Sequence, residues 1–194
     1  MEFMKDYQKY RWFYTGSGKL VVGGKSAAQN DWLLKLLKTL EYEFIVMHTS
    51  EPGSPFSVIV SEMNKVSRKD IEECAIFTAC FSKAWKLGRK KASVDLFKIS
   101  QVYKGKDMKE GTWGVLGKIE RVEAQLELVL IKQKGILRAV PKSAAKSSII
   151  ANISPGNIEK KDISSKLELE VDKVFNQEEL LSALPSGGFK LSTK

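Results

Sequence analysis

The residues able to move protons or form covalent bonds are few: one histidine, His48, and two cysteines, Cys74 and Cys80. The cysteines fall six residues apart in one expected helix. Their side chains then diverge by roughly 120° around its axis, so they cannot pair there and read as buried, reduced thiols. Four Cys and His ligands for a structural zinc are more than the chain owns, which excludes zinc-finger and zinc-deaminase chemistry. His48 ends the apolar run Phe44–Met47 and reads first as a strand-end residue. Paired with Glu51 it could serve a nuclease or phosphoesterase, but no second histidine or carboxylate cluster accompanies it to hold a metal. The segment Gly23–Ser26, GGKS, imitates the end of a phosphate-binding loop, G-x-x-x-x-G-K-[ST]. The first glycine is misplaced, because Lys19 stands where it should be. Lys19–Val22 is moreover a strand-type run rather than a loop of free amides. What survives is smaller: Gly24, Lys25 and Ser26 precede a helix, where free amides and an ammonium can hold a phosphate.

Cations are plentiful. Lys and Arg total 32 against 23 acids, for a net charge of +9. Residues 83–109 alone carry 9 basic and 2 acidic side chains, whereas residues 1–82 carry 10 of each and residues 132–194 carry 11 and 7. Such a local excess points to a polyanion. Cations at a helix C-terminus are ordinary, since each gains about 0.3–1 kcal/mol from the helix dipole. Lys83, Lys86, Arg89, Lys90 and Lys91 exceed what capping needs.

The elements that must position these residues follow from periodicity. Tyr10–Tyr14, the turn Thr15–Gly18 and Lys19–Val22 predict a β-hairpin. Ala27–Leu40 places Trp32, Leu33, Leu36, Leu37 and Leu40 on one helical stripe. Phe44–His48 and Phe56–Val60 read as strands joined by the loop Thr49–Pro55. Ser67 and Asp70 form a capping box opening a helix that runs to about Gly88. Val94–Ile99 reads as a strand, Ser100–Gly111 as a long polar loop, and Thr112–Leu116 and Gln125–Ile131 as the last strands of the main body. Beyond Gln133 come short strands at Ile136–Val140 and Ser148–Ile153, then a helix in two pieces over Ile158–Leu184. The expected fold is α+β: a mostly antiparallel sheet with two packed helices in residues 1–132, and a small C-terminal α/β appendage in residues 133–194. No run nears the roughly 18 to 20 apolar residues of a membrane span. The first residues lack a signal-peptide pattern, so a cytoplasmic location is expected.

Four stretches together resemble the RNA-binding domain of the NFACT proteins. They are RWFYTGSGKLVVGGKSAAQN (Arg11–Asn30), HTSEPGSPFSVI (His48–Ile59), FSKAWK (Phe81–Lys86) and QVYKGKDMKEGTWGVLGK (Gln101–Lys118). Their order agrees with the family, over roughly residues 9–132, in the manner of a stand-alone archaeal-type member. Lys25 stands where Arg is common, and Tyr103 where a small polar residue is expected. The resemblance implies non-catalytic RNA binding, to rRNA or tRNA on the large ribosomal subunit, during quality control of stalled ribosomes, with no cofactor. A eukaryotic lone relative associated with DNA sensing at a membrane keeps DNA open as a ligand, whereas no membrane partner is expected here. Peptide tailing, which depends on further domains of the full-length proteins, is not carried over.

On this reading Lys83, Lys86, Arg89, Lys90, Lys91, Lys104 and Lys106 neutralise phosphates, giving affinity without sequence choice. Lys25, Asn30, His48 and Gln101 add hydrogen bonds to phosphate, ribose or a splayed base. Arg11, Trp12 or Tyr14 could stack on a base, with a core role for Trp12 equally open. Two rival classes remain: the His48 enzyme, and a ribosome-bound protein adaptor whose basic segment is merely solvated.

Overall fold

A computed structural model describes residues 4–171 and 174–193. The chain opens with the expected hairpin, β1 (Arg11–Tyr14) and β2 (Leu20–Gly23), closed by a turn in which Gly18 adopts φ +89°. Helix α1 (Ala27–Lys38) starts at Ser26, whose hydroxyl accepts the Gln29 N–H. Strands β3 (Ile45–Thr49) and β4 (Ser57–Ile59) follow, and then α2 (Arg68–Cys80). The predicted capping box is present: Ser67 and Asp70 bond reciprocally to each other's backbone N–H. Ser17 and Ser67 hydroxyls hold the buried Asp70 carboxyl far below the usual range, outweighing the burial that would raise it.

The expected long second helix is interrupted. At Ser82 the backbone turns extended, and its hydroxyl accepts the Ala84 N–H to start a separate one-turn helix, α3 (Lys83–Lys86). Strand β5 (Lys91–Lys98) returns across the sheet. The polar segment after it contains a two-stranded ribbon, β6 (Val102–Tyr103) with β7 (Gly114–Val115), which stands apart from the main sheet. The run predicted as Gln125–Ile131 corresponds to β9 (Leu128–Gln133), and an unexpected strand, β8 (Glu120–Gln125), precedes it.

Strands β1–β5 and β8 make one antiparallel sheet in the order β1-β2-β4-β3-β5-β8. Side chains alternate between its faces. Trp12, Val22, Val46, Val58 and Phe97 meet Leu33, Leu34 and Leu37 of α1. Phe13, Val21, Met47, Ile59 and Val94 meet Cys74 and Phe77 of α2. The α1 stripe is rotated from the expected one. Trp32 is 53% exposed, because Leu34 rather than Trp32 completes the buried face.

Strands β9, β10 (Ile136–Val140), β11 (Ala151–Ile158) and β12 (Phe189–Ser192) form a second antiparallel sheet, ordered β10-β9-β11-β12. Helices α4 (Ile163–Val171) and α5 (Gln177–Ala183) bring Ile163, Leu167 and Leu180 into an apolar cluster continuous with that of α2. The fold is α+β. Among the described residues no helix is long and apolar enough to cross a membrane.

Candidate nucleic-acid interface

Two of the stretches singled out in the sequence meet in space. Thr49 N–H donates to Ser54 Oγ at 2.9 Å and Thr49 Oγ1 donates to the Glu51 carbonyl at 2.6 Å, which curls the loop between β3 and β4. At its tip Gly53 adopts φ +105°, and its carbonyl accepts the Lys83 N–H at 2.9 Å. The Lys83 methylenes lie where a Cβ on Gly53 would stand. Loop and α3 thus form one wall of a cleft of about 270 Å³, whose other wall is the outer end of β5 and β8. Glu51, Lys83, Arg89, Lys91, Arg121 and Glu123 line it.

Charge here is only partly free. Arg89 donates to Glu51 at 2.7 Å, Lys91 lies 3.7 Å from Glu123, and Arg121 donates to Asp95 at 2.7 Å. Lys83, Lys86 and Lys90 are exposed on and after α3, and Lys106 is exposed on the loop that is fastened to Asp31 of α1, outside the cleft lining; none of them makes a salt bridge within the described residues. Exposed ion pairs are worth about 0–1 kcal/mol, so a phosphate can displace the carboxylates of Arg89 and Lys91 cheaply.

Several residues expected at the interface are spent inside the fold. The Lys104 ammonium is held by both Asp31 oxygens at 3.1 Å and by the carbonyls of Lys109 and Thr112 at 2.8 and 2.9 Å. It therefore fastens its own loop to α1 and has no donor left for a phosphate. Gln101 is likewise saturated: its amide donates to the Leu116 and Lys118 carbonyls, both at 2.9 Å, and accepts the Lys98 N–H at 2.8 Å. Asn30 is buried and accepts the Phe56 N–H, clamping α1 to β4 against Gly24, where any Cβ would strike it. Trp12 is 1% exposed beneath Tyr7 and Arg138 and cannot stack on a base.

His48 presents its ring to Phe56, with 4.6 Å between centroids, and its Nδ1 donates to the Thr49 carbonyl at 2.6 Å. Burial pulls its pKa below the usual histidine value, against the Thr49 hydrogen bond and the Asp95 charge, so the ring is neutral at pH 7. Glu51 turns instead to Arg89, so the His48–Glu51 pair that a hydrolase would use is not formed. Among the described residues no three His, Cys, Asp or Glu side chains are grouped to hold a metal. Arg11 is half-buried over Phe81 and donates to the Gly24 carbonyl, while Lys25 stays exposed at the α1 start. Cys74 and Cys80 are buried free thiols, and burial pushes both pKa values upward.

Two cations that the sequence reading passed over, Arg121 and Arg138, also lie beside these residues. Arg121 sits alone among acids in sequence, and only the β5–β8 pairing reveals its place.

A model of the NFACT protein RNA binding domain matches residues 9–117. The archaeal Rqc2 homolog aRqcH of Methanocaldococcus jannaschii is 31% identical over 98% of this chain, and the chain spans 30% of that protein's length. The C-terminal part of the fibronectin/fibrinogen-binding protein from Streptococcus suis shares the fold, with a TM-score of 0.50 and 24% identity over 58% of this chain and 44% of that one. The family match covers more than half of the sequence, and the chain belongs to the NFACT RNA-binding domain family.

Proposed function

We propose that this NFACT domain binds RNA without catalysing a reaction on it, gripping phosphates with the cations around the cleft between α3 and the outer end of β5 and β8. The observation that carries the reading is the trio Lys83, Lys86 and Lys90, exposed and without carboxylate partners among the described residues, while Lys106 is exposed on the separate loop held by Asp31. Arg89, Lys91 and Arg121 stand ready beside them. Contacts of this kind bring affinity and salt dependence rather than sequence preference. The family and the archaeal Rqc2 homolog support RNA as the ligand and ribosome-associated quality control as the setting; within that reading the proposed target is rRNA or tRNA on the large ribosomal subunit, in the cytoplasm. The neutral, hydrogen-bonded His48 supports a positioning role for the ring beside the loop rather than general acid–base work.

The test is RNA affinity against salt for wild type and for the triple variant Lys83→Ala, Lys86→Ala, Lys90→Ala. Single-stranded nucleic acid loses about 0.7 in log–log slope per phosphate contact, so the variant's slope is expected to fall by about 2. An unchanged affinity and slope refutes the proposed surface. Large-subunit co-sedimentation that survives the triple substitution would instead favour the protein adaptor. Duplex DNA titrated at the same salt reports the preference between the two nucleic acids.

A further inference from the structure

Outside the cleft, four cations from distant parts of the chain gather along the outer edge of β1. The edge strand is covered by the tail: the Gln133 amide donates to the Tyr14 carbonyl and accepts its N–H, both at 2.8 Å, like a short extra strand. From β10, next to this clasp, Arg138 lays its guanidinium 4.5 Å from the centre of the Trp12 ring. Arg11 lies 5.5 Å from the Phe81 ring centre on the other face. Lys160, after β11, donates to the Leu184 carbonyl at 3.2 Å and stands within electrostatic reach of Arg11. Lys25 feels both arginines. Arg11 donates to the carbonyl of Gly24, the residue before Lys25, and Arg138 covers the residue after Arg11, so the cations share one neighbourhood.

None of the four has a carboxylate within 4 Å among the described residues. Glu179 is the acid that acts on Arg138, but it already accepts the Leu137 N–H, and Tyr7 is the other group facing that guanidinium. Arg138 Nε is buried without a hydrogen-bond partner. Burial disfavours the charged form of Arg11, Arg138 and Lys160, and partial desolvation that of the more exposed Lys25; Lys25 and Lys160 additionally suffer the repulsion of neighbouring arginines. Half-buried like charges with no carboxylate in contact, as at Arg11, Arg138 and Lys160, are unfavourable in a free protein. An aromatic ring occupies one face of each guanidinium; one terminal nitrogen of Arg11 is spent on the Gly24 carbonyl and Arg138 Nε is buried, so an anion would meet their remaining N–H groups.

We propose that this seam between β1 and the tail is a second phosphate track, on which Lys160, Arg11, Lys25 and Arg138 hold successive phosphates of an RNA backbone. The proposal rests on the RNA-binding reading and adds the tail to the binding surface. Four cations contributed by β1, the start of α1, β10 and the segment after β11 suit a polyanion rather than one isolated phosphate.

Two variants test it: Arg138→Gln with Lys160→Gln, and the exposed Lys25→Gln, which leaves the core untouched should the first fail to fold. RNA affinity against salt and thermal melting with sodium tripolyphosphate, against sodium chloride at equal ionic strength, are measured for each. The expected results are a slope reduced by about 1.4 in the double variant and about 0.7 in Lys25→Gln. Tripolyphosphate is expected to raise the wild-type melting temperature, and the rise to shrink in both variants. If wild type binds RNA and folded variants keep its affinity and slope, the track is wrong and the RNA reading stands. If wild type ignores RNA yet tripolyphosphate protects it and not the variants, the RNA reading falls and the seam remains an anion site. Neither response overturns both.

Discussion

Asp31→Asn separates the residues that hold the Lys104 loop on α1 from those proposed to touch RNA. The Asp31 carboxylate, mostly buried on α1, accepts from Lys104 at 3.1 Å, from Trp113 Nε1 at 2.7 Å and from the Gly111 N–H at 2.9 Å. Burial alone would raise its pKa, but the bonds from Lys104, Trp113 and Gly111 outweigh it and hold the group below its ordinary value. Asparagine keeps one accepting oxygen and loses the charge, and it turns an N–H₂ toward an ammonium. A hydrogen bond to a charged group is worth about 1.5–3 kcal/mol, so a loss of about 2–3 kcal/mol is expected. For a chain this long that lowers the melting temperature by roughly 4–12 °C, at about 2–4 °C per kcal/mol. A double-mutant cycle with Lys104→Met, whose side chain can still cover Trp113, should show strong coupling. The pH sign follows from the depressed pKa. The carboxylate's contribution is complete above its unfolded value of about 3.9 and is lost as pH falls through the folded value, so the gap between wild type and Asp31→Asn closes in acid. Calorimetry between pH 7 and 3 measures this. A cost under about 0.5 kcal/mol, or strict additivity with Lys104→Met, refutes the hub. So does a Lys104→Met protein that keeps its fold yet loses a full phosphate's worth of salt slope.

The remaining predictions are shorter. Gly53→Ala forces φ +105° on a side chain whose Cβ would meet the Lys83 stem at 2.5 Å; a cost of about 1–3 kcal/mol and weaker RNA binding are expected from denaturant melts and titration. The His48 ring titrates below its usual 6.5 by NMR, because burial favours the neutral form. The unfolded chain takes up that proton first, so stability falls as pH drops from about 6.5 through the folded value, and a midpoint above 6.5 would contradict the burial argument. Cys74 and Cys80 are fully buried, with pKa values pushed upward; the native protein should leave a thiol reagent unreacted at pH 8 and release both thiols on unfolding, and rapid native labelling would disprove it.

What could be read beforehand was local. The opening hairpin and the Ser67–Asp70 box depend on residues within a few positions of one another, and both are present. Strand β8 escaped notice because ERVEAQ pairs on one side only, leaving Val122 and Ala124 as its inward residues among charges. The helix break at Ser82 also has a local cause, a serine able to cap the next turn, but in sequence it is drowned by the apolar residues around it. Lys104 was misplaced for a different reason. Its partner, Asp31, lies 73 positions upstream, and no count of neighbouring charges can register that. Trp12 resembles a stacking platform in sequence, yet β1 is covered on one face by α1 and along its edge by the tail, so the ring is enclosed.

Charge density along the chain and charge available in space are therefore different quantities, and the second decides what a polyanion meets. Residues 83–109 are the densest cationic stretch, but Arg89, Lys91 and Lys104 there have carboxylates within 4 Å. The cations at the β1 edge are scattered through the sequence and have none among the described residues. The two groups are joined by packing. Arg11 covers Phe81, the residue before the Ser82 cap, and α3 then carries Lys83 and Lys86 toward the cleft. The tail is tied to the same turn, because Trp85 Nε1 donates to the Gly188 carbonyl at 3.0 Å and Gly187 lies against the Lys86 backbone. A single one-turn helix thus has the cleft on one side and the tail-built edge on the other. Its two flanking cations have nothing to neutralise them among the described residues. On the proposed reading α3 is then the junction between the cleft and the tail-built edge, so substitutions there are expected to affect RNA binding at both.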